Sequence, residues 1–453
     1  MSNDSAVADG GAVSADRGGA VCVIGAGAAG LAAVKNLREH GFEVDCYERE
    51  TDVGGLWNWR HERSPVTAAT HLITSRPLTG YPDFPMPDHW PDYPHHSQFR
   101  DYLERYAAHF DLRRDIWFGT EVHRVSPTHD LRWDVSTGGT GGAGPRRVTR
   151  YAGLVVANGH HWDPVLPAYP GQDAYLGRLL HAAECKEPAA LRDRRVLVVG
   201  GGNTAADLAV AAASPAAATW YSTRRGYWLY PKYLLGRPLD QAAARLRALR
   251  LPRRWRRRLL AGLLRHAVGE PTRLGLPRPD HPPLGTHPTV NSMLPHHIGH
   301  GLVTPVADID RFTAHGVILA DGRTIDPEVV VFATGYRPRH DFLPDDLLGG
   351  GERPRLGLHL FAPDHPTLAV VGLPQFPGGA PVMLHWQSVA AARWLRLWHA
   401  DPARAAAVRP TLFRGTGALR LPTVDSDRHW AEVDPHRYLA ALQDLLDRME
   451  SRP

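Results

Sequence analysis

At 453 residues the chain is long enough for two or three domains, each with a sizeable core. With 43% hydrophobic and 22% charged residues it is neither disordered nor fibrous, and 52 Lys+Arg against 47 Asp+Glu leave +5, too small an excess to argue by itself for nucleic acid or a membrane surface. Three cysteines, Cys22, Cys46 and Cys185, stand far apart with no C-x-x-C pair, which excludes a disulfide framework, a zinc ribbon and a dithiol reductase and fits a reducing, cytoplasmic setting.

Residues 1–19 are small and polar, lack the basic start and apolar run of a signal peptide, and read as a disordered tail. No stretch reaches the roughly 18 apolar residues of a membrane span; the nearest, Leu208 to Thr223, is broken by Ser214 and Pro215. Ala20–Ile24 is an apolar run ending at Gly25, Leu31–Leu37 follows at helical spacing, and Gly41 precedes a run ending at Tyr47. Strand, glycine turn, helix, glycine stop and strand make a βαβ unit. Within it Gly25-Ala-Gly27-Ala-Ala-Gly30 is G-x-G-x-x-G, whose glycines permit a tight turn and the approach of a pyrophosphate to backbone N–H groups at a helix start. Glu48, 23 residues after Gly25, is placed to accept hydrogen bonds from a ribose.

Gly138 to Gly144 is expected to be a hairpin connection and Leu154–Ala157 a buried strand. The opening grammar then returns: Arg195–Val199, Gly200, a helix over Ala205–Ala213 and a strand at Thr219–Ser222, with Gly200-Gly-Gly202-Asn203-Thr204-Ala205 as the turn and Ala for its third glycine. Two such units mean two nucleotides. Where the first has Glu48, the second reads Tyr221-Ser-Thr-Arg224-Arg225. A carboxylate repels a 2′-phosphate, whereas guanidinium groups bind one with charge-assisted bonds. The first unit is therefore assigned FAD, whose adenosine ribose has a free 2′-hydroxyl, and the second NADPH.

Ala242 to His266 is an arginine-dense helical stretch holding Arg253-Arg-Trp-Arg-Arg-Arg258. Leu246, Leu249, Leu259, Leu260 and Leu263 are expected to supply a buried stripe, leaving the arginines as a solvated face; the other reading is an anionic docking patch. His296-His-Ile-Gly-His300 has no supporting carboxylate or cysteine, and no metal site is expected. Strands are expected at Gly316–Ala320 and Val329–Ala333, then a helix from about Gln387 to Trp398 and a last one ending near Met449. No G-x-S-x-G or comparable nucleophile occurs, which assigns the hard chemistry to the cofactor. The expected architecture is α/β: two dinucleotide-binding, Rossmann-like domains, the NADPH domain (171–304) inserted into the FAD domain (20–170 and 305–453).

Gly54-Gly55-Leu56-Trp57, Gly159-His-His-Trp-Asp-Pro164, Val199–Thr204 and Ala333-Thr-Gly-Tyr336 together resemble, in this order and from about residue 20 to 400, the flavin-containing monooxygenases, which are class B flavoprotein monooxygenases. That family's motif F-x-G-x-x-x-H-x-x-x-[FY] is similar to Tyr175-x-Gly177-x-x-x-His181-x-x-x-Cys185, which keeps the glycine and histidine and changes both aromatic ends. The Baeyer–Villiger branch usually has Trp at the last position, so Cys185 speaks against that branch. The resemblance adds Gly55, Leu56 and Trp57 to the flavin site and sets Ser75 where the family commonly has an Asn beside flavin and nicotinamide, one hydroxyl donor replacing an amide's two. Gln387, after Trp386, resembles the family's late Gln near the isoalloxazine. Arg224 and Gly226, followed by Pro231-Lys232, resemble the NADPH-ribose segment.

The activity so implied is an NADPH- and O₂-dependent oxygenation of a small molecule at a soft nucleophile, an amine nitrogen or a sulfide, through a flavin C4a-hydroperoxide. The protein's share is to exclude water and hold NADP⁺ in place. The alternatives are a Baeyer–Villiger oxygenase acting on ketones, and a non-enzymatic flavoprotein docking an acidic carrier protein through Arg253 to Arg258. A homodimer is left open.

Overall fold

The computed structural model describes residues 14–248, 252–350, 353–424 and 429–450. Most of the expected tail, 1–13, lies outside them; Ala15–Asp16, expected within the tail, instead form a short strand paired with Thr149 and Arg150.

Apolar residues on both faces of a short strand suit a parallel sheet covered on both sides, and in β1 (Val21–Ile24) all four are buried. The helix α1 (Ala28–Glu39) leads to β2 (Val44–Tyr47); β3 (Ile116–Trp117) and β4 (Gly153–Val156) follow later in the chain. β1 pairs in parallel with β2 on one side and β4 on the other. Val21 and Val23 face the helical layer, while Cys22 and Ile24 face Trp133, Val135 and Tyr151 of an antiparallel sheet. That sheet contains the hairpin Trp133–Gly139 and Arg147–Tyr151, joined through the glycine-rich segment as expected.

The second unit repeats the plan with β5 (Arg178–His181), β6 (Arg195–Val199), α2 (Asn203–Ala212), β7 (Ala218–Ser222), β8 (Thr304–Val306) and β9 (Val329–Phe332). Its strands lie in the order β5-β9-β6-β7-β8, all parallel. Val196 and Val198 pack with α2, and Leu197 and Val199 with a small antiparallel sheet over 309–325. The chain then returns to the first sheet as β10 (Leu368–Val370), beside β4, and ends in α3 (Ala380–Ala400), which packs on α1, and α4 (Pro435–Glu450), which packs on α3. Each fully buried Val, Leu or Ile contributes about 1.5–3 kcal/mol, so these double-sided strands anchor both cores.

Two expectations are corrected. The inserted unit does not end at 304: β8 and β9 pair into its sheet, so the segment from 305 to about 333 belongs to it, and the first sheet resumes only at β10. The arginine-dense stretch is two helices, Leu239–Ala248 and Arg253–Val268, because a proline at 252 disfavours helix in the residue before it. Leu249 and the Arg253 side chain lie outside the described residues. The buried stripe is also turned from the expected one: Leu264 packs with Trp228, Tyr230 and Val290, Leu260 is half-buried beside them, and Leu259 is 43% exposed. Among the described residues, no helix is long and apolar enough to cross a membrane.

Candidate functional site

Both glycine turns lie at carboxyl ends of central strands, between neighbours on either side, where open α/β sheets form their binding crevice. Their backbones correspond bond for bond. Gly25 N donates to Tyr47 O at 2.8 Å and Gly200 N to Ser222 O at 2.9 Å. Gly25 has φ +100° and Gly200 φ +144°; a Cβ would lie 2.7 Å from Ala157 O in the first and 2.4 Å from Ala333 O in the second, so neither position admits a side chain. At the third glycine the units part: a Cβ on Gly30 would stand 1.7 Å from Gly25 O, while the second unit carries Ala205 there.

Gly27 plays a different part. A Cβ there would meet only Gly55 of the protein, at 3.5 Å, an ordinary contact. The Gly55–Trp57 turn is docked on this loop by Gly54 N donating to Ala26 O (3.2 Å), with Leu56 O accepting from Ser64 Oγ (2.5 Å) and the Trp57 ring edge-on to Phe99 at 4.7 Å. The caps of α1 and α2 are Gly27 and Gly202, with no side-chain cap and no acid in the first turn. Both helices thus present unclaimed N–H groups and the positive end of their dipole, the cradle a pyrophosphate requires.

The ends of β2 and β7 set the charge. Glu48 is 6% exposed; its Oε2 accepts from Ala26 N (2.7 Å) and its Oε1 from Glu50 N (2.9 Å), and burial raises its pKa. It braces the glycine turn, and each carboxylate oxygen keeps lone-pair capacity beyond these two bonds. By hydrogen-bond register its counterpart is the buried Thr223, so Arg224 stands one residue past the place of the acid. The first-unit counterpart of Arg224 is Arg49, half-buried, 5.5 Å from the Trp162 ring and 3.4 Å from Glu50. Arg224 itself is exposed and, among the described residues, forms no hydrogen bond or ion pair, while Arg225 neighbours Asp280.

Other expected residues are occupied elsewhere. Asn203 ties down the loop at 288–290, donating from Nδ2 to Pro288 O (3.1 Å) and accepting at Oδ1 from Val290 N (2.8 Å); Thr204, partly buried, starts α2 beside it. Ser75 is fully buried, and its Oγ is closed off without a partner. Its backbone is held across the two units, N donating to Asp240 Oδ2 at 2.6 Å. Gln387 is fully buried between α3 and α4, accepting from Gly372 N (3.0 Å) and donating to Tyr438 OH (2.7 Å), so its amide is spent inside the core.

Sequence reading missed Gln375, whose side chain stands partly exposed on the loop after β10, at the same sheet edge as the first glycine turn. It also missed Tyr227, whose ring lies against the second turn: a Cβ on Gly201 would come 1.9 Å from Tyr227 Cε2. Gly201, between two other glycines, was the available signal for something lying close.

The flavin-binding monooxygenase-like family model matches residues 18–442. Flavin-containing monooxygenase 5 of Rattus norvegicus is 33% identical over 462 residues, covering 96% of this chain and 83% of its own length. Dimethylaniline monooxygenase [N-oxide-forming] 2 of Mus musculus is 32% identical over 376 residues, covering 78% of this chain and 69% of its own. Among solved structures, cyclohexanone monooxygenase from Rhodococcus sp. Phi1 bound to NADP⁺ superposes with a TM-score of 0.68 at 21% identity, covering 94% of this chain and 97% of that one, which establishes a shared fold.

Proposed function

Because the chain belongs to the flavin-containing monooxygenase family, an FAD- and NADPH-dependent enzyme class, we propose that it transfers one oxygen atom of O₂ to a soft nucleophile, an amine nitrogen or a sulfide, of a small molecule. The observation that carries this reading is the pair of uncapped glycine turns with opposite charge at their strand ends. Gly25, Gly27 and Gly30 would hold the FAD pyrophosphate and Glu48 its ribose; Gly200, Gly202 and the start of α2 would hold that of NADPH, with Arg224 and Arg225 at the 2′-phosphate. When bound, flavin and nicotinamide supply the electrons and the oxygen activation. The residues of the chain orient them: Gly55 to Trp57 close over the first turn, Tyr227 lies on the second, and Asp240 fixes the Ser75 segment between the units. In this arrangement Ser75 acts through its backbone, and Gln387 braces α3 against α4 instead of meeting the flavin.

The test is direct. The purified protein should be yellow, bleach with NADPH under argon, and consume O₂ when benzyldimethylamine or benzyl methyl sulfide is present, giving the N-oxide or sulfoxide. Conversion of ketones to esters with neither of those products would replace this reading by the Baeyer–Villiger one, and a protein that NADPH does not reduce would end both.

A further inference from the structure

The two glycine turns belong to different cores, and one side chain of the second unit reaches a loop of the first. Residues 61–66 follow the Gly55–Trp57 turn, and the buried Ser64 holds that turn by its bond to Leu56 O. The Lys186 ammonium lies half-buried against this loop: Nζ donates to Ser64 O, to His61 O at 3.4 Å and to Val66 O at 3.5 Å. Three protons meet three carbonyls, the full donor set of an ammonium. The backbone adds a fourth tie, Ala68 N donating to Lys186 O at 2.9 Å.

Both ends of this tie are anchored. Cys185, the preceding residue, is buried and packs with Val196, Ala205 and Leu208, so Lys186 is set by the core that carries the second glycine turn. At the other end Leu56 sits in the turn that Gly54 N docks on Ala26 O, and Arg63 lies 5.9 Å from the Trp162 ring that Arg49 also faces. No counter-ion completes the site: among the described residues Lys186 forms no ion pair. Glu62, Glu184 and Glu187 are exposed, with Glu184 accepting from His181 N at 2.7 Å, and the His61 ring is turned to Glu50 at 4.0 Å. His96 is near enough to feel the lysine, but burial holds its pKa down to about 4, so it stays neutral. Burial alone pulls the Lys186 pKa down to about 8. Below that pH the loop is held by an ammonium; above it, by an amine with two protons and no charge.

We propose that Lys186 is a positioning residue for flavin reduction: its ammonium fixes the flavin-side loop on the nicotinamide unit, and with it the separation across which hydride leaves NADPH, giving NADP⁺ and reduced flavin. The proposal rests on the assignment of FAD and NADPH to the two turns above. Among the described residues Lys186 forms no bond to either glycine turn, so it acts through Ser64 and Leu56. Its loss should slow reduction without loosening NADPH, because a misplacement of about 1 Å can cost on the order of 100-fold in rate.

The experiment compares wild type, K186M and K186R as FAD-loaded enzymes. In anaerobic stopped flow at saturating NADPH, K186M should be reduced roughly 10- to 100-fold more slowly than wild type, with the Kd for NADPH changed by less than about threefold. Wild type should slow as pH rises through about 8, and K186R, whose guanidinium stays charged, should lose that inflection. K186M reduced at the wild-type rate, or K186R keeping the wild-type pH profile, overturns the proposal. Limited trypsinolysis reads the loop without turnover, since Arg60 and Arg63 are exposed on it. K186M should be cut there about tenfold faster than wild type at pH 7. Wild type, scaled to a control peptide, should be cut faster at pH 9 than at pH 7. Equal cleavage of wild type and K186M at pH 7 overturns the proposal as well. That arm stands even if NADPH fails to reduce wild type, an outcome that would end the oxygenase reading separately. Should K186M fail to fold, the pH series of wild type and K186R decides alone.

Discussion

The two nucleotide units are built on one backbone and differ in what their side chains do with it. Both have five parallel strands with the glycine turn on the middle one, the same N–H to C=O bond closing the turn, and an alanine carbonyl pressed against its first glycine. Counted from that glycine, Ala32 of the first helix corresponds to Asp207 of the second, Gly30 to Ala205 and Glu48 to Thr223. Both units even carry an arginine one step further on. Arg49 is engaged with Trp162 and Glu50, and Arg224 is left in solvent. On the proposed reading, selectivity between a free 2′-hydroxyl and a 2′-phosphate would be set by removing one carboxylate and freeing one guanidinium, on closely matching backbones.

The sharpest break should come at the third glycine. A methyl group on Gly30 would collide with the Gly25 carbonyl, so Gly30→Ala should cost about 3 kcal/mol or more and strip the first unit of cofactor, whereas Ala205→Gly, in a buried helical position, should cost only about 1 kcal/mol; urea unfolding of both variants checks this. A mild effect at Gly30 would mean the two turns are less alike than their bonds suggest. Gly27→Ala comes next and separates fold from ligand. Its methyl finds room in the protein, so the Tm of the apoprotein should hold while FAD affinity drops by about tenfold or more, measured by flavin fluorescence on titration.

Arg224→Ala should raise the KM for NADPH on the order of tenfold and leave that for NADH and the bound FAD alone, since an exposed charged hydrogen bond is worth about 1.5 kcal/mol. Equal weakening of both nucleotides would show that the freed arginine is not what distinguishes the units. The smallest effect concerns Asp207, whose pKa burial raises to about 6 from 3.8. A raised carboxyl pKa means the folded state holds the proton more tightly, so stability from this group is complete below about pH 4 and is lost as pH rises through 6. Asp207→Asn should therefore stabilise the protein at neutral pH by about 1 kcal/mol, and the gap from wild type should close on acidification to pH 4 in a Tm series.

Much of the fold is legible in the sequence because a βαβ unit is local: Val21 to Tyr47 and Arg195 to Ser222 carry their strand, turn and helix within some thirty residues. The family match over residues 18–442 agrees with the resemblance in Gly54–Trp57, Gly159–Pro164 and Ala333–Tyr336. What escaped depends on pairing between distant segments. Thr304–Val306 is three residues long and becomes a strand only beside Trp220–Ser222, so nothing near it marks the border of the inserted unit. The same holds for the site. Gln387 and Gln375 look alike as letters, and only the Tyr438 hydroxyl and the Gly372 amide reveal which one is spent.

The return of the chain to β10 has a consequence for synthesis on the ribosome. β4 is made early, but the strand that covers its outer edge follows only after the whole inserted unit, a delay of roughly 200 residues, or on the order of 10 to 40 s at usual elongation rates. Throughout that interval the Gly153–Val156 edge is open, with backbone groups that another strand could claim. The inserted unit, continuous in the chain, can complete itself on emergence. The nascent protein therefore finishes from the inside outward, the second cradle standing complete while the first still waits for its last strand.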